Sequence, residues 1–429
     1  MSTSKELRLA VAGLGTVGGG VMELLDEHAA LLAKRSGKVL RVVACSARSK
    51  RDLLPEGCVF YDDASAMARS ADYDVLVELI GGGDGIALEI VTTALERGRA
   101  VVTANKAMIA HHGVKLASLA QAKNVSLCFE ASVAGAIPVI KTLREGLAGN
   151  RVSRVMGILN GTCNYILTTM RSSGRDFADV LAEAQALGYA EADPTFDIDG
   201  IDTAHKLSIL ASLAFAMPVD IASVGCEGIR HVSALDIQFA DELGYRIKLL
   251  GVAERTEDGV RASVYPAMVP LASPLAHVDG VMNAVVTESD FAGRTVLGGR
   301  GAGARPTASA VVSDLVDLAR GSYVPAFGVT VEDLVVVPQS PRETRRSGCY
   351  IRLTVTDEPG VFADIASALR DEKISMEQVL QRSRAPSETV PVVLILHETD
   401  EASLERAITR ISKLPTIAEH PHPIRIEAI

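Results

Sequence analysis

The sequence has no tryptophan, and its aromatic share is only 4% of 429 residues. Aliphatic side chains must therefore fill the core, and a hydrophobic share of 48% is enough for that. The six cysteines, at positions 45, 58, 128, 163, 226 and 349, include no CxxC pair. Neither a zinc site nor a disulfide framework is expected from such scatter. No apolar run reaches the roughly eighteen residues that a membrane-spanning helix needs. Met1 to Glu6 also lack the apolar centre of a secretory signal, so a cytoplasmic protein with no membrane partner is expected. Positive charge is in deficit, with 43 lysines and arginines against 53 acids and a formal net charge of −10. That field repels nucleic acid, while local basic spots can still hold a small anion.

The length suits two or three domains, each able to bury its own core. Leu7 to Ala12 reads as a buried strand, followed at once by Gly13-Leu14-Gly15-Thr16-Val17-Gly18 and an apolar helix to about Ala33. This is GxGxxG between a strand and a helix, the context that dinucleotide binding requires. Gly13 allows the turn, Gly15 lets a pyrophosphate approach, and Gly18 lets helix and strand pack closely. Thr16 and Val17 open the helix, whose N–H groups and partial positive charge face the phosphates. The second strand, Val39 to Cys45, leads into Ser46-Ala47-Arg48-Ser49-Lys50-Arg51, with no acid to hold both ribose hydroxyls. Cations there favour a 2′-phosphate on Arg48, hence NADP, with NAD possible and a plain solvated loop as the alternative.

Strands at Asp74 to Ile80, Ala100 to Ala104 and Val125 to Phe129 alternate with helices near Ile86 to Arg97 and Ala107 to Ala122. The alternation predicts a Rossmann-type doubly wound parallel sheet over residues 1–130. Asn105-Lys106 falls just past a strand's carboxyl end, the edge along which ligands lie, so Lys106 points toward the cofactor crevice.

Residues 131–306 read as an α+β catalytic or dimerisation domain. Glu130-Ala131-Ser132-Val133-Ala134-Gly135-Ala136-Ile137-Pro138 leads in with small residues, which by composition suit a connector. A strand at Val152 to Leu159 turns through Asn160-Gly161-Thr162 into a helix, aiming backbone N–H groups forward. Helices follow near Tyr165 to Arg171, Phe177 to Leu187 and Ile201 to Phe215, with strands between Lys248 and Tyr265 and at Val281 to Ser289. Leu297 to Pro306 is a second glycine-rich loop, either a surface hairpin or a backbone lid on the cofactor. The helix after it, residues 307–320, is expected to pack back on the first domain.

The chemistry gathers between the last two of those helices. Gly188 reads as the C′ residue of Phe177 to Leu187. Glu191, Asp193, Asp197, Asp199 and Asp202 then crowd one loop before Lys206. Asp202 and Lys206 stand at i and i+4 and leave one helix face, as either a surface ion pair or part of a zwitterion pocket. An EF-hand reading of Asp197 to Gly200 fails, because its twelfth ligand would be Lys206.

Read together, the glycine turn, Asn105-Lys106, Glu130 to Pro138, Asn160-Gly161-Thr162 and the GYAEADP…DIDGIDTAHK run resemble homoserine dehydrogenase over about Leu7 to Arg320. The resemblance implies NAD(P)H-linked reduction of L-aspartate 4-semialdehyde to L-homoserine, in threonine, methionine and isoleucine biosynthesis. It implies Lys206 as proton donor and Lys106 as a second active-site lysine. Glu191 and Asp202 would hold the substrate's ammonium, with Gly161 and Thr162 near its carboxylate. Gly188 and Gly303 would lie against the cofactor, Gly303 in the closing loop. Glu130 with the carbonyls of Val133, Gly135 and Ile137 would bind a sodium ion. Two rival functions stay open: an NADP-linked oxidoreductase of another aldehyde or keto acid, and a catalytically silent amino-acid sensor.

After Ser322, proline and arginine mark residues 321–347 as a linker with few contacts across it. Residues 348–429 follow a βαββαβ order, with strands at Cys349 to Thr356, Ile374 to Arg382, Val390 to His397 and Ile424 to Ile429. The Glu358-Pro359-Gly360-Val361 turn makes this tail resemble an ACT domain, which implies an amino-acid effector or a purely dimerising role. Open strand edges there suggest a homo-oligomer, a dimer or tetramer.

Overall fold

The computed structural model describes residues 5–48, 54–381 and 388–427. Ser49, Lys50 and Arg51 of the basic loop, Arg382, and the last two residues of the final predicted strand lie outside them. Glu6–Ala12 is apolar without alternation because Leu9 to Ala12 are all fully buried, covered on both sheet faces. It lies inside a six-stranded parallel sheet ordered Val59–Tyr61, Val39–Ser46, Glu6–Ala12, Val75–Glu78, Ala100–Thr103, Leu127–Cys128. This is the doubly wound order, with its ligand crevice outside the carboxyl ends of Glu6–Ala12 and Val75–Glu78.

The single helix expected to Ala33 is two, Thr16–Glu27 and Ala29–Ser36, joined at His28. One residue of bend barely disturbs the apolar periodicity, so the sequence hides it. The helix Ala304–Arg320 lies against the first of these: a Cβ on Gly20 would come within 2.6 Å of the Ala304 carbonyl oxygen. Val311 and Leu315 share a core with Val21 and Leu25, and Arg305 pairs with Glu23 at 2.5 Å.

A second, ten-stranded sheet carries the rest of the chain. It runs from the edge strand Gly293–Arg300 through Met282–Ser289, Val152–Ile158, Tyr245–Thr256 and Gly259–Pro270 to Pro423–Ile426. Beyond that seam lie Arg346–Thr356, Thr389–Asp400 and the far edge Met376–Gln381. Leu297 to Arg300 are therefore strand, and only Gly301 to Gly303 form the loop before the helix. An edge strand tolerates the glycines of that stretch because only one side is paired.

The tail is bound far more tightly than its linker composition suggests. Pro423–Ile426 pairs in parallel with Gly259–Pro270, Arg425 opposite Ala267, and antiparallel with Arg346–Thr356, Tyr350 opposite Ile424. Beneath that seam the buried Glu427 accepts from Tyr265 Oη at 2.6 Å and Arg345 at 2.5 Å, and pairs with Arg154. Asp236 of the middle of the chain accepts from Tyr350 Oη at 2.9 Å and Arg352 Nε at 2.8 Å.

Candidate active site

The glycine turn meets the demands of its position. Gly13 has φ +98°, and a Cβ on it would sit 2.6 Å from the Leu79 carbonyl oxygen. A Cβ on Gly18 would fall 2.0 Å from the Gly13 oxygen, whereas one on Gly15 would meet nothing within 4 Å. Two glycines are thus needed for packing, and the third leaves an open approach beside a helix N-terminus, which fits a pyrophosphate. The backbone N–H of Gly13 donates to Ser46 at 2.8 Å, tying the turn to the second strand, with Arg48 exposed two residues on.

Lys106 is the first residue of Lys106–Ala122, and its placement is built from the sheet upward. Glu78, fully buried at the end of its strand, accepts from the Ile80 and Gly81 N–H groups at 2.7 and 3.2 Å. Its other oxygen accepts from Thr103 Oγ1 at 2.5 Å, and that hydroxyl in turn accepts from the Asn105 N–H at 3.0 Å. Asn105 caps the helix by accepting from Met108 N–H at 3.1 Å and ties it to Gly82 at 2.6 Å. The side chains of Glu78, Thr103 and Asn105 thereby fix where the helix starts and where Lys106 leaves it.

The opposing helix, Ile201–Phe215, starts after Gly200, left-handed at φ +85° and closely packed: a Cβ there would meet Val264 Cγ1 at 2.9 Å. Asp202 to Leu213 are all buried along it. Lys206 is only 9% exposed, so a surface ion pair does not describe it. Its Nζ donates to Asp202 Oδ2 at 2.6 Å and to the Leu159 carbonyl at 2.7 Å. Lys106 Nζ reaches Asp202 Oδ1 at 2.7 Å from the other side. Asp202 therefore bridges the two lysines, one from each domain.

Electrostatics follow from that bridge. Burial opposes ionisation of Asp202, but Lys206 and Lys106 outweigh it and hold the carboxyl below its usual range. Burial pulls the Lys206 ammonium down, and the Lys106 charge adds to this against the upward pull of Asp202. Asn160 completes the cluster. Its Oδ1 caps the helix Gly161–Ser173 by accepting from Cys163 N–H at 2.8 Å, while Nδ2 donates to Asp202 at 2.8 Å and Asp197 at 2.7 Å. Burial raises the Asp197 carboxyl, with Asp202 adding to the effect.

Other expected site residues sit around this centre. Gly188 is left-handed at φ +75°, one past the C-cap Leu187. Thr162 Oγ1 donates to the Tyr189 carbonyl at 2.7 Å, joining the start of its helix to that turn. Glu191 is exposed and is not drawn into the lysine cluster. The segment Val133–Ile137 meets the loop of Gly301 to Gly303: a Cβ on Gly135 would lie 2.5 Å from the Gly301 oxygen. Ala134 and Gly135 are both left-handed, at φ 57° and 53°. Among the described residues no backbone N–H reaches the carbonyls of Val133 or Gly135. Glu130 accepts from the Ile140 and Lys141 N–H groups at 3.0 and 2.8 Å, and burial with nearby Asp314 pushes its carboxyl up to about 7. Among the described residues no three acidic, histidine or cysteine side chains gather as a metal site.

Sequence reasoning missed Glu78, Thr103 and the Asn160 side chain. The Asn160 amide was detectable as an N-cap, but its other two partners, Asp197 and Asp202, come from two further helices about forty residues on. His205 was missed too; its ring packs edge-on against His111 at 5.2 Å and Phe196 at 5.4 Å beside the lysines.

A glycine turn on a doubly wound sheet, with two ammonium groups held at its carboxyl edge, defines an NAD(P)-dependent oxidoreductase. Family models agree in order along the chain: the NAD-binding domain of homoserine dehydrogenase over residues 13–130, homoserine dehydrogenase over 138–316, and the ACT domain over 350–416. The homoserine dehydrogenase of Pseudomonas aeruginosa is 44% identical over 99% of this chain and 100% of its own length. The crystal structure of a homoserine dehydrogenase from Thiobacillus denitrificans superposes with a TM-score of 0.93 at 43% identity, covering 100% of this chain and 99% of that one. A hyperthermophilic archaeal homoserine dehydrogenase in complex with NADPH matches with a TM-score of 0.65 at 28% identity, over 75% of this chain and 99% of its own. The chain belongs to the homoserine dehydrogenase family, and the rival readings as another oxidoreductase or a silent sensor are not favoured.

Proposed function

We propose that this chain reduces L-aspartate 4-semialdehyde to L-homoserine with NADPH, with Lys206 as general acid. The observation that carries the assignment is the Asp202 carboxylate held between two ammonium groups, at 2.6 Å from Lys206 and 2.7 Å from Lys106. Bound nicotinamide supplies the hydride to the aldehyde carbon. Lys206 meets the negative charge that develops on the aldehyde oxygen and then gives it a proton. Burial makes that proton easier to release, and Asp202 keeps the group charged until it is needed. Lys106 adds a second positive charge at the sheet edge. The Gly161 and Thr162 N–H groups, at a helix start, suit the substrate carboxylate. Glu191 and Asp202 suit its ammonium, with Glu191 having to turn inward from its exposed position.

On the cofactor side, Gly13, Gly15, Thr16, Val17 and Gly18 would hold the pyrophosphate and Arg48 the 2′-phosphate. Gly188 and Gly303 would close on the nicotinamide half. A sodium ion would take the carbonyls of Val133, Gly135 and Ile137 with Glu130, a donor set of hard oxygens in which two carbonyls accept no backbone N–H among the described residues. The ACT domain would bind an end-product amino acid, L-threonine first among them, in a cytoplasmic homo-oligomer. NADPH oxidation followed at 25 °C with aspartate semialdehyde tests the reaction. Absence of turnover in folded protein, with and without sodium, would refute it.

A further inference from the structure

We propose that Cys45 and Cys58 are a redox-convertible pair, and that joining them weakens the hold on the 2′-phosphate end of the cofactor. Neither thiol has a part in the mechanism above, and a separation of 13 residues hides the pair from any motif. The fold brings them together. Cys45 is the penultimate residue of Val39–Ser46, and Cys58 immediately precedes Val59–Tyr61, its parallel neighbour at the sheet edge. Their sulfurs lie 3.5 Å apart, the one thiol–thiol contact among the described residues. A disulfide needs about 2.05 Å, so closure requires an approach of roughly 1.5 Å. Cys45 is buried and Cys58 partly exposed, so an oxidant arriving from water meets Cys58 first.

The oxidant is a peroxide, and the step balances. The Cys58 sulfur takes one oxygen from hydrogen peroxide and releases water, leaving a sulfenic acid. The Cys45 sulfur then displaces hydroxide from it, forming the S–S bond as both thiol protons leave in water. Two thiols are oxidised by two electrons and one peroxide is reduced to two waters. The contact with Cys45, followed by burial, pushes the Cys58 thiol up, so thiolate is scarce and conversion is slow.

The consequence comes from what stands beside the pair. Ser46, next to Cys45, accepts the hydrogen bond from Gly13 of the glycine turn, and Arg48 follows two residues later. Contraction at Cys45 therefore acts between the turn and Arg48, where a charge-assisted contact is sensitive to position. This consequence rests on the reading of Arg48 as the 2′-phosphate partner.

The test uses the full chain, treated with hydrogen peroxide, unfolded, alkylated with iodoacetamide and digested. A linked Cys45–Cys58 peptide that lacks two hydrogens, and is released by dithiothreitol, is expected. The KM for NADPH should rise about threefold or more, with kcat and the KM for NADH nearly unchanged. Cys58→Ser treated in parallel should keep its NADPH KM. If both thiols still alkylate after prolonged exposure, the pair is not convertible and the proposal falls. If the linked peptide forms and the NADPH KM stays, the bridge does not reach the cofactor. An equal rise in Cys58→Ser would trace the effect to another thiol and overturn it as well. The Arg48 reading fails separately, in untreated Arg48→Glu protein.

Discussion

Asp202→Asn separates the two tasks of the bridging carboxylate, because the amide keeps the shape and loses the charge. In the native site Asp202 is the group that holds the buried Lys206 ammonium charged against desolvation and against Lys106. Their charge centres lie about 4 Å apart, and at an effective dielectric near 20 that pair interacts by about 4 kcal/mol. Losing that upward pull lets burial and the Lys106 charge lower the Lys206 pKa further. A smaller share of the lysine then carries a proton to deliver, and reduction should slow by up to about 10²–10⁴-fold. Acid should restore it, because a lysine of lowered pKa regains its proton only below that value. The assay is kcat/KM for aspartate semialdehyde from pH 5 to 10, with the thermal midpoint to establish folding. Lys106→Met gives the opposite sign on the same limb, since its charge depresses Lys206. If both variants keep the native pH profile, or if Asp202→Asn is fully active at pH 8, Lys206 is not the acid.

Further predictions concern other parts of the chain. Arg48→Glu should move the ratio of specificity constants from NADPH toward NADH, and an unchanged ratio would mean that Arg48 is merely solvated. Lys248 is 1% exposed, and burial lowers its ammonium to about 8 even though Asp279 lies 3.1 Å away. Its folded pKa lies below the unfolded one, so the unfolded chain binds more protons between the two. Urea unfolding should therefore show the native chain gaining up to about 3 kcal/mol over Lys248→Met as pH rises from 8 toward 10.5. A pH-independent difference would contradict that burial. A chain ending at Arg346 should be insoluble or strongly destabilised, because it loses the seam strand and leaves Tyr265 and Arg154 without Glu427. A soluble, active truncation with a native midpoint would show that the seam contributes little.

The parts legible in the sequence were those whose cause is local. The strand, glycine turn and helix around Gly13 to Gly18 follow from neighbours within a dozen residues, and the i,i+4 spacing of Asp202 and Lys206 needs only helix geometry. Whether that pair is buried was harder, since the same spacing serves a surface ion pair. The deciding signal was present: from Thr203 to Leu213 the only polar residues besides His205 and Lys206 are Thr203, Ser208 and Ser212. A helix whose polar residues are mostly small hydroxyls, with no continuous charged face, suits burial. The seam between tail and body was not legible, because Arg425 meets Ala267 across more than 150 residues and no local pattern records such pairing.

That seam changes what regulation by the tail would have to be. Arg425 and Ile426 pair with Ala267 and Met268, and three residues before Ala267 the Val264 side chain packs against Gly200, where the helix bearing Asp202 and Lys206 begins. An effector at the tail would therefore act on a continuous sheet rather than through a loose tether. Continuity alone does not couple the sites: an effector must bind two arrangements of the seam with different affinity. Threonine titration of the full chain, read as both activity and thermal midpoint, separates the cases. A midpoint shift with inhibition means that the seam has two arrangements and that the Asp202 helix feels both. A midpoint shift with unchanged turnover means that the tail binds its ligand and the sheet stays rigid, which would sink regulation by this route.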